Sequence, residues 1–456
     1  MKQQNILMVV VDQLASRALE GKHKTPNLDR LREMSRSAEC CITQCPLCQP
    51  SRASFWSGLY PHETNVLSNG RKWPAKPIPA TVETLGRVLA KAGYETRHFG
   101  KRHDAGALGG FWCEEEGQTV VPDTPSLPFN FDTYNDVFTR GKVLEFLKER
   151  QSPRPLAMVV DLVNPHNICG WVGLHKDGKP DGETDGLPEL PPNFEFDDIA
   201  NRGTPVQYLC CTHIRQGQAS HWSPLLFRQY LKAYQGYLSL ADQMIGDVLQ
   251  AWQDKGLGGY ILFWSDHGDS MASRHMVTKD VCLYRETVEV PLFISGPDVK
   301  PGILRGLSEL LDIAPTICGL LGLEKPASFR GKDLSRLLRE GGAVDRPYAV
   351  SQWHTEWGYT VSPCRLVRTP EASYIRYLEP GVREEYYDLA SDPFEERNVA
   401  SRHSKEVAAM RSLFAEYLRE SRDPFESLAW NADRRWRSHE LGFCHHEGPT
   451  APEVEP

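Results

Sequence analysis

The sequence predicts an α/β fold: one large, mostly parallel sheet sandwiched by helices, with a smaller C-terminal α+β subdomain. Three observations carry that expectation. Short continuous apolar runs recur along the chain and read as strands covered on both faces. Helix-like stretches separate them. Asp12, Asn164-Pro165-His166 and Asp266-His267 stand at the ends of three such runs, where sheets of this kind bind ligands.

The first strand is expected over 6–11, stopping at Asp12. The runs at 158–163 (MVVDLV), 260–264 (YILFW) and 290–295 (VPLFIS) read the same way. Helices are expected over 27–35, 81–92, 136–150 and 224–252. Residues 167–223 are rich in Gly, Pro and polar side chains and read as a long excursion over the sheet, on the substrate side. A helix is expected after Leu311-Asp312-Ile313-Ala314-Pro315, running to about Leu338. Gly341-Gly342 then marks the expected boundary between a catalytic unit, 1–342, and an α+β unit, 343–456, ending in a polar tail. In that second unit 373–378 reads as a strand and 405–419 as a helix.

Composition bounds the function. The chain has 456 residues, 52 Lys+Arg against 60 Asp+Glu, and a formal net charge of −8. Forty per cent hydrophobic and 25% charged residues exclude a wholly disordered, collagen-like or coiled-coil chain. The acidic balance argues against nucleic-acid and anionic-membrane partners. No segment approaches the ~20 apolar residues of a transmembrane helix. The N-terminal apolar run is too short for a secretory signal, so a cytoplasmic protein is expected. Twelve cysteines are too few for a disulfide scaffold of this length.

The strongest chemical signal is Cys48-Gln49-Pro50-Ser51-Arg52. Pro50 suits the start of a helix, with its φ preset and no N–H to lose. Cys48 is then expected just ahead of a helix N-terminus, where backbone N–H groups and the dipole favour an anion. Arg52, one turn in, can present a cationic fork to oxyanion oxygens. The segment reads as a site for a tetrahedral anion with a nucleophile beside it.

Cys48, Pro50 and Arg52 match Cys-X-Pro-X-Arg, and here the sequence resembles the sulfatase family of the alkaline-phosphatase superfamily. The resemblance runs from Asn5 to about Ala400. It includes Thr25-Pro26-Asn27-Leu28-Asp29, Gly58-Leu59-Tyr60-Pro61-His62, Gly100-Lys101-Arg102-His103, Pro165-His166, Ser265-Asp266-His267-Gly268-Asp269, Lys279 and Tyr386-Tyr387-Asp388-Leu389. It implies an alkaline-phosphatase-like fold, a cysteine oxidised to formylglycine by a maturation enzyme, and one divalent cation. It also implies that Cys48, Arg52, Lys101, His103, His166 and Lys279 are catalytic. In that scheme His103 takes the proton that expels sulfate, and His166 faces the leaving-group oxygen as donor. The implied metal ligands are Asp12, Asp266, His267 and the modified Cys48, with Gln13 a weaker member.

Elementary chemistry agrees that carboxylates suit a hard divalent cation. Calcium is the first expectation. The His267 imidazole, softer than an amide, keeps manganese open. The Gln13/His267 pair resembles choline sulfatases and phosphonate monoester hydrolases. Arg52, Lys101 and Lys279, with His275, form the expected cationic set for the transferring group. His213 and Arg215, with His221, Trp171 and Trp222, are open to two readings: binding of an acidic sugar, or surface and packing.

Other features have competing readings. Cys45-Pro46-Leu47-Cys48 is also a Cys-X-X-Cys, open to redox or half-zinc roles, though no partner pair follows. Cys444-His445-His446 is a metal candidate or a polar tail. Tyr230, Tyr234 and Tyr237 lie at helical spacing and read as packing. The function expected is sulfatase action on a sulfated carbohydrate, an imported mono- or disaccharide. The alternatives are a phosphonate monoester hydrolase or phosphodiesterase, and a non-catalytic or redox protein on the same scaffold. Self-association is left open.

Overall fold

The computed structural model describes residues 3–20, 25–69, 77–114, 136–182, 184–195, 202, 214–279, 282–354, 363–378 and 384–428. The main sheet has nine strands: β1 (Ile6–Asp12), β2 (Arg36–Ile42), β3 (Glu95–Gly100), β4 (Trp112–Cys113), β5 (Leu156–Pro165), β6 (Tyr260–Ser265), β7 (Glu289–Val290), β8 (Leu292–Ser295) and β9 (Gly302–Glu309). Their order is β4-β3-β5-β1-β6-β8-β2-β7, with β9 also on β2. The block from β4 to β6 is parallel, whereas β8 runs antiparallel to both β6 and β2.

The central strands are apolar throughout because both faces are covered. Leu7, Val9 and Val11 of β1 face the Pro224–Asp254 helix side of the core. Ile6, Met8 and Val10 face the Cys48–Ser57 and Ile313–Leu321 helices. Each fully buried side chain of this kind contributes about 1.5–3 kcal/mol. Period-2 burial on both faces is what the continuous runs announced.

The Pro224–Asp254 helix spans 31 residues. Pro224 fits its first turn, and the Ser223 hydroxyl accepts from the Leu226 N–H at 3.3 Å. Asp242, midway along it, accepts from the N–H groups of Asn27 and Leu28 and so caps the Pro26–Glu33 helix.

Three local expectations change. The run 290–295 is not one parallel strand: Pro291 divides it into β7 and β8, and both pair antiparallel with their neighbours. The stretch from 313 to 338 is two helices, Ile313–Leu321 and Ser335–Glu340, because Gly322 ends the first in the left-handed conformation. The excursion 167–223 also contributes to the main core, through Trp171, Phe194 and Trp222. Trp171 stacks on His175, and Trp222 meets it edge-on, so these indoles are packing residues.

Beyond the glycine pair lies a four-stranded antiparallel sheet, β10 (Ala349–Trp353), β11 (Cys364–Arg368), β12 (Ala372–Tyr377) and β13 (Glu385–Asp388). Val350, Val367 and Tyr374 pack against Val407, Met410 and Phe414 of the Ser404–Ser421 helix. The two sheets are tied where Val350 N–H donates to Glu309 and Gln352 N–H donates to the Gln44 carbonyl. No helix among the described residues is long and apolar enough to cross a membrane.

Candidate active site

The carboxyl ends of β1, β3, β5 and β6 deliver their following residues to one place. Asp12 ends β1, Lys101 follows β3, His166 follows β5, and Asp266 and His267 follow β6. Between Val11 and Asp12 the register with β5 slips, which re-aims Asp12 opposite Pro165. Gly268 is needed because a Cβ there would lie 2.0 Å from the Glu286 carbonyl oxygen. Gln13, Met271, Ala272, Arg274, His275 and Thr278 all hold positive φ, a concentration of strain around the loop that brings in Lys279.

Cys48 occupies the first turn of its helix rather than a position ahead of it, so Pro50 is the third helical residue. Its sulfur lies 3.2 Å from His267 Nε2 and 3.7 Å from Asp12 Oδ1. Lys279 Nζ donates to that sulfur at 2.9 Å. His103 and His166 also lie close enough to Cys48 to act on it, and His103 Nε2 is 3.2 Å from the Asn69 carbonyl oxygen. Burial opposes ionisation of the thiol, but Lys101, Lys279 and His267 outweigh it and draw Cys48 well below the ordinary thiol range.

Asp12, Cys48, Asp266 and His267 each offer a ligand atom, all within 4.8 Å of one another and all buried. His267 Nδ1 lies 2.9 Å from the Gly268 carbonyl oxygen and donates to it, which points Nε2 at the cluster, where it would offer its lone pair to a bound cation. Two carboxylates, an imidazole lone pair and a low-lying thiol fit a divalent cation. Asp12 is held far below the ordinary carboxylate range: burial and Cys48 push it up, but Lys101, His166 and Lys279 prevail. Asp266 is instead pushed up to about 6, by burial and then by Asp12. A cation between them would offset the rise at Asp266 and keep both carboxylates ionised.

Arg52 departs from its expected role. Its guanidinium is buried, and its fork is taken by protein carboxylates. Nε donates to Asp266 at 2.9 Å, Nη1 to Asp161 at 2.5 Å and Nη2 to Asp12 at 3.1 Å. It therefore aims the acids rather than gripping an oxyanion. Lys101 Nζ lies 2.7 Å from Asp12, and Lys279 reaches Gln13 Oε1 as well as Cys48, so these two ammonium groups are the cations nearest the thiol.

Gln13, the weaker member of the expected ligand set, is held by other side chains. Its amide nitrogen donates to Asp269 at 2.8 Å, and its oxygen accepts from Lys279 at 2.9 Å and Cys169 at 3.5 Å. It braces Lys279. His275 is not in the cationic set: it stacks on Phe194 at 4.0 Å and pairs with Glu195 at 3.0 Å. Arg215 comes close enough to Cys169 to oppose the rise that burial imposes on that thiol. His213, Cys210-Cys211 and Cys444-His445-His446 lie outside the described residues. Cys45 is buried in the core beside β10 and β11.

His166 is lowered to about 4, first by burial and then by the Lys279 and Lys101 charges, so it is a neutral imidazole near pH 7.

Several contributors carry no expectation from the sequence. Asp161, within the apolar run of β5, anchors Arg52. An acid in a strand covered on both faces demands a partner, and that was the available signal. Tyr230 donates to Asp269 at 2.6 Å, and Tyr234 to the Gln13 carbonyl at 2.6 Å. These tyrosines pack, as expected, but their hydroxyls also brace the floor of the site.

With this geometry established, likeness to known proteins is informative. A Sulfatase family model matches residues 4–323, and the model for the C-terminal region of N-sulphoglucosamine sulphohydrolase matches 275–423. The chain belongs to the sulfatase family, and it is a hydrolase acting on sulfate esters. It is 38% identical to the Delta 4,5-hexuronate-2-O-sulfatase of Bacteroides thetaiotaomicron, over 99% of this chain and 96% of that protein. A solved 2-O glycosaminoglycan sulfatase is similar with a TM-score of 0.91 and 37% identity, covering 100% of both chains. The phosphonate monoester hydrolase of Agrobacterium radiobacter shares the fold, with a TM-score of 0.73 at 20% identity over 93% of this chain and 96% of that one. Sulfatases of this family generally use a metal ion and a formylglycine.

Proposed function

We propose that this protein hydrolyses the 2-O-sulfate ester of a hexuronate in a small glycosaminoglycan fragment. The observation that carries the reading is near full-length likeness, at 38% identity, to a Delta 4,5-hexuronate-2-O-sulfatase. The buried convergence on Cys48 supports it.

Asp12, Asp266, His267 and the converted residue 48 would hold the cation, calcium first and manganese second. The cation would polarise a sulfuryl oxygen, and formylglycine at residue 48, made by a maturation enzyme, would supply the nucleophilic hydroxyl. Arg52 keeps Asp12 and Asp266 aimed inward. Lys101 and Lys279 offset charge on the sulfuryl oxygens as the ester bond breaks. His103, beside residue 48, accepts the hydroxyl proton there and lets sulfate leave. Neutral His166 offers an N–H to the leaving sugar oxygen.

The test is sulfate release by protein verified by peptide mass to carry the aldehyde. Substrates are 2-O-sulfated unsaturated uronate disaccharides, 6-O-sulfated amino sugars, choline sulfate, an aryl sulfate and an aryl phosphonate. Cleavage of the 2-O-sulfated disaccharide, abolished at least about a thousandfold by Cys48→Ala, is the expected result. Turnover of the phosphonate alone would overturn it.

A further inference from the structure

Next to Cys48 a cavity of about 650 Å³ opens, lined by Gln49, Pro77, Arg102, His103, Leu108 and Phe111 among others. Gln49 and His103 belong at once to this cavity and to the surroundings of the nucleophile: Gln49 follows Cys48 on its helix, and both Gln49 N–H and His103 Nε2 are held by Asn69. The space therefore adjoins the reacting centre, and neither Lys101 nor Lys279 lines it.

One group in that lining is conspicuous by its chemistry. Arg102 is exposed, and its guanidinium makes no hydrogen bond or ion pair among the described residues. The nearest acid in the lining, Asp104, is buried, and its carboxylate accepts the Leu108 N–H at 2.7 Å. Arg102 acts on it only as a nearby charge. Gln49 presents a buried Oε1 with no hydrogen-bond partner, while its backbone N–H is held by Asn69. Phe111, Leu108 and Pro77 supply apolar surface. A free guanidinium fork, an unspent amide oxygen and an apolar wall make a subsite for a sugar that carries a planar anion.

We infer that Arg102 is a specificity-determining residue that binds the uronate carboxylate of the substrate in this cavity. The inference rests on the uronate reading above and deepens it. In a hexuronate the carboxyl group is on C5, across the six-membered ring from C2. When the C2 sulfate enters the Lys101/Lys279 cradle, the carboxylate must fall in a neighbouring space and not in the cradle. The cavity beside His103 is such a space, and Arg102 supplies it with a bidentate partner. Gln49 Oε1 accepts from a ring hydroxyl.

The experiment is a substrate–enzyme double cycle with the full, aldehyde-bearing protein. Wild type, Arg102→Ala and Arg102→Lys are compared on the 2-O-sulfated unsaturated uronate disaccharide and on its carboxyl-reduced counterpart. Calorimetric binding of the unsulfated uronate disaccharide is measured in parallel. Arg102→Ala should raise KM on the uronate ten- to a hundredfold, with Arg102→Lys between. On the carboxyl-reduced substrate the same substitution should cause less than a twofold change, and binding of the unsulfated uronate should be lost. Equal losses on both substrates, a fall confined to kcat, or unchanged uronate binding would overturn the assignment. Transfer of the Arg102 effect to a second sulfate group, with none for the carboxylate, would overturn it too. If wild type cleaves no sulfate ester but the unsulfated uronate still binds through Arg102, the subsite stands and the hydrolytic reading of this substrate falls.

Discussion

Arg52 and Glu385 are both buried charges, and their surroundings differ in kind. Around Arg52 the chain assembles three carboxylates, a low-lying thiol and two further ammonium groups. Around Glu385 it places three hydroxyls: Tyr377 donates to one oxygen at 2.5 Å, and Tyr284 and Tyr387 to the other at 2.9 and 2.6 Å. Arg202 in turn donates to the Tyr387 hydroxyl at 2.8 Å. In the second cluster each oxygen of the acid has a neutral donor, so the group is closed. In the first, carboxylate, thiol and imidazole atoms point at one another with more charge than they can settle among themselves. Unsettled charge of this kind marks a place that takes up another ion, while settled charge marks a place that holds sheets together.

The largest expected effect follows from breaking the first cluster at its centre. Arg52→Ala leaves three buried carboxylates without their guanidinium and should cost about 3–5 kcal/mol in denaturant unfolding. Arg52→Lys keeps the charge but loses the three-way fork. It should retain more of the fold while losing most sulfate release, separating charge from aim.

Glu286 lies between the two regions and sharpens the comparison through pH. Burial raises its carboxyl, but Arg274, Arg17 and the Asn193 amide prevail and hold it at about 2, against 4.5 for a free side chain. A depressed folded value stabilises the fold fully above the unfolded value and is lost as pH falls toward the folded one. The difference corresponds to about 3 kcal/mol. Thermal unfolding should therefore show stability falling between about pH 4.5 and 2, and Glu286→Gln should flatten that limb.

Removing the cation tests the unsettled charge directly. Dialysis against a chelator should lower the melting temperature and abolish turnover, and added calcium or manganese should restore both. At a hundredfold excess over Kd the bound ion is worth about 2.7 kcal/mol. Chelator-insensitive melting would mean that the four donors settle their charge unaided. The smallest effect belongs to the closed cluster. Glu385→Gln should cost about 1–3 kcal/mol while leaving kcat/KM within twofold of wild type.

Much of this was legible in the sequence, and the rest was hidden for physical reasons. Strands β1, β5 and β6 stood out because burial on both faces makes a strand continuously apolar. Asp12, Asp266 and His267 stood out because they end such strands. The pairing of these acids with Arg52 did not, nor did Asp161, since Asp161 and Asp266 are 109 and 214 residues from Arg52 and spacing carries no trace of the contact. Tyr230 and Tyr234 read as packing because an amphipathic helix has the same period whether or not its hydroxyls are used. Gln13 was named from its place after Asp12, and its contacts with Asp269 and Lys279 could not be read there, because those residues lie far along the chain. The contact of His275 with Glu195 was hidden for the same reason: the two are 80 residues apart.

The enclosure of Cys48 has a consequence in time. Its side chain is 1% exposed in the finished fold, too little for another enzyme to reach. The residues that roof it come from far along the chain: His267 follows Cys48 by 219 positions and Lys279 by 231. At a synthesis rate of about 5–20 residues per second, the ribosome takes roughly 10–40 s to travel from Cys48 to His267. During that interval the cysteine has emerged, while β6 and its acidic turn do not yet exist. The oxidation of Cys48 by a second protein proposed above would thus have a natural deadline, set by elongation rather than by folding. Slowing or hastening translation through the 48–267 stretch should change what fraction of molecules leaves the ribosome equipped for hydrolysis.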